Sequence, residues 1–317
     1  MEPAIPAAVI AFMRVLLCHN PTAGNKGGHD KDSILAALKL ADYDVRYSSL
    51  KDERFKSAFD KPVDLIVAAG GDGTLAQVLT TLPDRSLPVA ILPLGTANNF
   101  ARSLGIAGTP QELVEMWDIE RSCPVSLGVA SGQWGRSLFL EGFGVGVFPA
   151  FLKQATKGKK AEGADNLRKG RQVFQKVMKR AAPVEVTMKI GGKTYERSVL
   201  GIEVCNIAFT GPGLPIAASA DVSDDKLDAV IFEAERRQEL IDWIDAPQDG
   251  KPPVSNRKVS KIEITWQGAP TRVDDEYFEA ADREQTVEIA CDETPVRVLI
   301  PVKHPAQKSL EKKVNAA

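Results

Sequence analysis

The stretch VDLIVAAGGDGT, residues 63–74, joins a largely apolar run to a turn of three glycines, one carboxylate and one hydroxyl. An apolar run of this kind is expected of a strand buried on both faces, as in a parallel sheet. Glycines let the backbone come close to a phosphate with no Cβ in the way and with N–H groups turned inward. The helical pattern TLAQVLTTL (74–82) that follows would offer its positive end to the same place. Asp72 beside a phosphate would repel it unless a magnesium ion lay between them, and magnesium commonly uses one or two carboxylates plus substrate phosphates. Read this way, Gly70, Gly71, Asp72, Gly73 and Thr74 form the seat of a magnesium–polyphosphate. The plainer reading is a tight turn between a strand and a helix.

The surrounding sequence favours the first reading. MRVLLCHN (13–20) reads as a strand that breaks at Pro21, and DSILAALKLA (32–41) as a helix capped by Asp32 or Ser33. YDVRYSSL (43–50) alternates like a strand, LPVAILPLG (87–95) is a second buried strand, and NNFARSLG (98–105) is a short helix closed by Gly105. Strands alternating with helices predict a parallel sheet covered on its faces. Ligands of such sheets bind outside the carboxyl ends of the strands. That places HNPTAG (19–24), GGDGT (70–74) and LGTANNF (94–100) on one edge. Neither GxxxxGKS/T nor GxGxxG occurs, which argues against a P-loop or a dinucleotide fingerprint.

The pattern changes near Pro124. PVEVTMKIGGKTYERSVLGIEVCNIAF (183–209) reads as strand, Gly-Gly turn, strand, strand; KVSKIEITW (258–266) and TVEIACDETPVRVLI (286–300) also read as strands. An antiparallel, β-rich second domain follows, interrupted by one helical stretch near 165–182. The boundary falls at about 121–125.

With 317 residues the chain is long enough for two domains, and a net charge of −2 gives no general attraction for nucleic acid. The four cysteines form no CxxC pair and suit reduced thiols in a cytoplasmic protein. The apolar stretch 4–13 is about half of a membrane span and has no basic segment before it, so neither a signal peptide nor a spanning helix is expected.

Taken together, N-P-x-A-G, G-G-D-G-T and G-T-x-N-x-F-A-R-x-L-G resemble the catalytic domain of the diacylglycerol kinases, and in particular its bacterial soluble lipid kinases. GGDGT alone is shared with NAD kinases; GTANNFARSLG favours lipid kinases. The resemblance covers about residues 13–300. It implies an α/β domain of the NAD kinase and diacylglycerol kinase type over 13–124, a β-sandwich lipid-substrate domain over 125–300, and a tail, 301–317, that packs back on the first. It also implies ATP and Mg²⁺ held by Asn20, Pro21, Gly24, Gly70, Gly71, Asp72, Gly73, Thr74, Gly95, Thr96 and Asn98.

ACDETP (290–295) resembles the family's D-G-E-P motif, whose Glu serves as the catalytic base. That assigns the base to Glu293, with Asp292 in the glycine position. An alignment shifted by one residue makes Asp292 the leading acid, and both readings stand. VCNIAFTGPGLPIAASADVSDDKLDAV (204–230) resembles a later family stretch that offers Asp221, Asp224, Asp225 and Asp228 as ligands of a structural magnesium. Ser126 stands where the family often has Asp, and Lys226 replaces a glycine. The implied reaction is transfer of the ATP γ-phosphoryl group to a lipid hydroxyl. The alternatives are an NAD kinase-like small-molecule kinase and a nucleotide-binding regulator without turnover.

The segment from Lys153 to Arg180 carries ten Lys/Arg against two acids. Leu167, Phe174, Val177, Met178 and Ala181 fall on one helical stripe and most of the charges elsewhere. One reading is a peripheral contact with an anionic membrane surface; the other is a helix packed on the body with a solvated basic face. EGFGVGVFPAFL (141–152) lines an acyl-chain pocket or fills the core. The partners expected are a lipid substrate and an anionic membrane surface, with no nucleic acid; a homodimer stays open.

Overall fold

The computed structural model describes residues 12–23, 30–155, 163–247 and 251–301. The first part of the chain runs β1 (Arg14–His19), α1 (Lys31–Leu40), β2 (Asp44–Ser49), β3 (Leu65–Gly70), α2 (Asp72–Thr81), β4 (Pro88–Pro93), α3 (Asn99–Ser103), α4 (Pro110–Glu115) and β5 (Ser122–Val125). The second part runs β6 (Gly128–Gly132), β7 (Gly135–Phe139), β8 (Gly142–Gly146), α5 (Val147–Ala155), α6 (Gly163–Arg180), β9 (Val184–Ile190), β10 (Lys193–Cys205), β11 (Leu227–Glu233) and α7 (Arg237–Asp245). It closes with β12 (Ser255–Val259), β13 (Lys261–Trp266), β14 (Thr271–Val273), β15 (Glu276–Phe278), β16 (Gln285–Cys291) and β17 (Val296–Leu299).

The first sheet has the order β2-β1-β3-β4-β17-β5. Its first five strands are parallel, and β5 runs antiparallel to β17. β3 is buried along its whole length, as its apolar run requires. Helix α2 starts at Asp72, two residues before the apolar pattern suggests, because the extended Gly71 serves as its N-cap. At α1 the cap is neither Asp32 nor Ser33: Asp30 accepts from the Ser33 N–H.

The strand β17 corrects the expected boundary at residue 300. Although it follows the whole second domain in sequence, Val296, Val298 and Leu299 are buried in the core of the first sheet. Strand β4 exposes an edge that only a returning strand can pair, and VRVL fills it in parallel. The tail from residue 302 onward lies outside the described residues, as does the apolar stretch 4–11.

Among the described residues, eleven strands make the second, antiparallel sheet. What reads as two strands after Gly192 is the single strand β10. It pairs with β9 up to Val199 and with β11 from Val199 on, its register with β11 shifts between Val199 and Gly201, and from Gly201 it also pairs with β8. A strand that changes partners at a bulge is how one sheet folds into two packed layers. Trp134, on the β6–β7 hairpin, stacks on Phe143 and Phe278 and closes the seam. Helices α5, α6 and α7 cover the outside of the sandwich through Phe148, Phe151, Phe174 and Leu240, which pack against Phe232 of β11. Among the described residues no helix is long and apolar enough to cross a membrane.

Candidate functional site

The two glycine turns at the carboxyl edge lie back to back. A Cβ on Gly95 would come within 2.5 Å of the Gly71 Cα, and one on Gly70 within 2.2 Å of the Thr74 hydroxyl. These glycines are therefore required for the close approach of the GGDGT and LGTAN loops. Asn98, in the left-handed region at φ 46°, ties the second loop. Its side chain accepts from Gly95 N–H and donates to the Pro93 and Gly95 carbonyls. It shapes the loop rather than presenting its amide to a ligand. Thr74 is buried, while Gly73 and Thr96 are exposed. Asn20 and Pro21 follow β1 on the same edge, where the Asn20 carbonyl side-chain oxygen accepts from Thr22. Gly24 lies outside the described residues.

Asp72 does not hang free in the turn. Its two oxygens accept from the N–H groups of Asn99 and Phe100, at 2.9 and 3.0 Å, at the start of α3. Burial, then the nearby Glu141, raises its pKa to about 6 against those two donors.

Across from Asp72 stands the β14–β15 turn. Asp274, left-handed at φ 49°, accepts from the N–H groups of Leu140, Glu141 and Gly142 at 2.8, 2.7 and 3.1 Å. Burial raises its pKa to about 7 despite these donors, and the Glu141 charge adds to the rise. Asp275 and Glu276 are exposed. A Cβ on Gly73 would meet the Asp275 carboxylate at 3.5 Å. Between the two sides is a cavity of about 250 Å³ lined by Asp72, Phe100, Glu141, Asp274, Asp275 and Glu276, among others. It is mostly apolar in its walls and carries carboxylates from both domains.

Asp292 and Glu293 are not in this cleft. They precede β17, whose start pairs with Pro88 at the amino end of β4. GGDGT lies at the carboxyl end of β3, so the two turns are a strand length apart, about 17–20 Å. Asp292 is held by Arg85 and Arg136, each at 2.7 Å, and Glu293 is exposed. Parallel pairing of β17 with β4 dictates this placement: a parallel strand is entered from the end opposite the ligand edge.

Asp221, Asp224 and Asp225 do not assemble into a magnesium site either. Asp221 accepts from the hydroxyl and N–H of Ser223. Asp224 pairs with Lys258, and Asp225 accepts from the Ser126 hydroxyl at 2.9 Å. Asp228 is buried and accepts from Ser219 and Asn256. A lysine ammonium and a hydroxyl thus take up the groups that a dication would need. Among the described residues no cluster of three or more His, Cys, Asp or Glu side chains could hold a metal. Asp72 remains suited to a magnesium ion that arrives with phosphates, since that ion needs only one or two protein carboxylates.

The sequence did carry a signal for the missed residues. Asp274-Asp275-Glu276 fits a D-G-E pattern as well as ACDET does, with Asp275 in the glycine position. It lies in the short hairpin segment RVDDEYF, which has no long apolar strand to draw attention to it.

Residues 14–130 match the family model described as the diacylglycerol kinase catalytic domain, and residues 170–294 match the YegS C-terminal NAD kinase beta sandwich-like domain. A probable lipid kinase YegS-like from Pseudomonas putida is 30% identical over 220 residues, which is 68% of this chain and 72% of that one. Another, from Stenotrophomonas maltophilia, is 52% identical over 61 residues, 17% of this chain and 20% of its own length. Among solved structures, a diacylglycerol kinase from Bacillus anthracis superposes with a TM-score of 0.64 at 22% identity, covering 93% of this chain and 98% of that one. An NAD kinase from Archaeoglobus fulgidus in complex with ATP gives 0.51 at 16% identity, covering 96% and 100%. At such identities the solved structures establish the shared fold.

Proposed function

Because the chain belongs to the family of the YegS-like lipid kinases, we propose that it transfers the γ-phosphoryl group of ATP to a hydroxyl of a lipid such as diacylglycerol, ceramide or a sphingoid base. The observation that carries this reading is the cleft itself. A glycine-rich strand end with Asp72 on one domain faces Asp274, Asp275 and Glu276 on the other. Phosphoryl transfer needs positioning and charge neutralisation more than covalent chemistry by the protein.

In this reading the amides of the GGDGT and LGTAN loops cradle the phosphates, and Asp72 takes the magnesium that neutralises them. Glu276 accepts the proton of the attacking hydroxyl, because it lines the cavity and among the described residues no hydrogen bond or ion pair occupies its carboxylate. Asp274 is bonded to three backbone N–H groups and holds the turn that presents Glu276. Carrying the base on the second domain lets cleft closure complete the site.

Helix α6 supports an approach to an anionic bilayer from the cytoplasmic side. Phe174, Val177 and Met178 are buried in the body, so the apolar stripe is spent on packing. Lys169, Lys176 and Lys179 face outward. Attraction would then be electrostatic, about 1 kcal/mol per basic residue near the surface and screened by salt.

The deciding experiment is transfer of label from ATP to diacylglycerol, phosphatidylglycerol, ceramide and sphingosine in mixed micelles, with NAD as a soluble acceptor. Labelled lipid is the expected product. Label only on NAD would replace this reading by an NAD kinase-like one, and ATP binding without transfer to any acceptor would leave a nucleotide-binding regulator.

A further inference from the structure

Several polar side chains buried between the two domains are linked by hydrogen bonds, and Glu141 is at their centre. Glu141 is 8% exposed at the start of β8. One carboxylate oxygen accepts from the Thr210 hydroxyl, from Gly211 N–H at 3.1 Å and from Arg272 at 3.2 Å. The other accepts from the Asn99 side-chain amide at 3.0 Å. Asn99 is the residue whose backbone N–H is bonded to Asp72. On the opposite side, the backbone N–H of Glu141 is bonded to the Asp274 carboxylate.

Arg272 anchors the arrangement from behind. It is 1% exposed, and its guanidinium reaches Glu203 at 2.8 Å, the Thr210 hydroxyl at 2.9 Å and the Asp274 carbonyl at 2.8 Å. Burial works against its charge, and Glu203 and Glu141 more than restore it. Burial likewise pushes Glu203 up to about 7, against the pull of Arg272. A buried acid next to a buried cation is expensive unless each is bonded on several sides. Glu141 meets that condition, yet it spends one oxygen on a residue of the other domain. An acid needed only to balance Arg272 would not.

We propose that Glu141 is a positioning residue for phosphoryl transfer: through Asn99 it sets Asp72, and through its own N–H it sets Asp274, so that one side chain fixes the spacing of the phosphate-holding and proton-accepting halves of the cleft. This rests on the reading of the preceding subsection. The reacting groups must be held within a fraction of an ångström for such a site to work, so a loosened spacing lowers turnover more than it lowers affinity for ATP.

Glu141→Gln tests it with little change of shape. Three donors face the first oxygen, so the new amide nitrogen is forced toward the Asn99 amide, donor against donor. The full-length variant should melt within a few degrees of the parent and bind ATP within about threefold by calorimetry. Its kcat should fall by about 30-fold or more with KM nearly unchanged. Asn99→Ala should give a similar loss, and the double variant no further one, because residues acting as a unit are not additive. Amide exchange gives a reading that needs no turnover. Glu141→Gln should speed exchange at Asn99 and Phe100, on the far domain, at least tenfold while strands β1 and β3 stay as protected as before. Unchanged exchange at Asn99 and Phe100 would overturn the proposal even if no acceptor is ever phosphorylated. Fully additive losses, or a parental kcat in the folded variant, would overturn it as well. A parent that phosphorylates nothing while its exchange behaves as expected would instead sink the lipid kinase reading.

Discussion

Two short acidic turns in this chain read almost alike, and the fold gives them opposite surroundings. Asp274-Asp275-Glu276 bends between two three-residue strands and opens into the interdomain cavity beside Asp72. Asp292-Glu293 bends between β16 and β17 and sits among arginines at the far end of the first sheet. In the first turn burial, and then the nearby Glu141 charge, raise Asp274 to about 7. The second has Asp292 clamped by Arg85 and Arg136. Carboxylates gathered around one partly buried cavity are costly to the fold, and such a cost is typical of sites built for chemistry. A carboxylate clamped by two guanidiniums is what structural staples look like.

The sharpest way to break the comparison is to remove one acid from each side. Asp72→Asn and Glu276→Gln should each lower kcat by about 10²–10⁴-fold in folded protein. A mild Glu276→Gln together with a crippling Glu293→Gln, seen in steady-state assays, would reverse the assignment of the two turns. Reversing Lys169, Lys176 and Lys179 to Glu comes next. Sedimentation with anionic liposomes should be lost at low salt, while activity on a short-chain soluble acceptor is kept. Equal losses on both substrates would point to damage in the cleft.

Acid titration separates the turns without any assay of activity. The folded protein holds protons on Asp72, Glu203 and Asp274 up to about 6, 7 and 7, whereas unfolded carboxyls release them near 4. The native state therefore binds more protons between about pH 4 and 7, and the contribution of these groups to stability falls as pH rises through that window. Asp274→Asn should flatten the decline of melting temperature between pH 5 and 8; an unaltered slope would show that Asp274 titrates normally. Smaller still is Asp292→Asn, which leaves Arg85 and Arg136 without their carboxylate. It should cost about 1–3 kcal/mol with kcat unchanged. Glu293→Gln is expected to alter stability by no more than about 0.5 kcal/mol, as for an exposed residue.

The amino-acid sequence by itself determined the parallel sheet, its strand-end loops and the place of Asp72. Each of these follows from local pattern: the apolar run of β3, the glycines that only a close approach requires, and the switch to antiparallel strands after Pro124. The basic face and buried stripe of α6 were legible for the same reason, since helical spacing alone sorts Phe174, Val177 and Met178 from the lysines. Tertiary structure decided which acids meet. Nothing local tells that β17 returns to pair with β4, yet that parallel pairing sends Asp292 and Glu293 to the amino end of the sheet. Nor does any spacing show that Glu141, Asn99 and Arg272, drawn from three distant segments, share one buried bond network. Strand polarity and long-range pairing are properties of the assembled sheet, and they decide which end of the molecule a motif occupies.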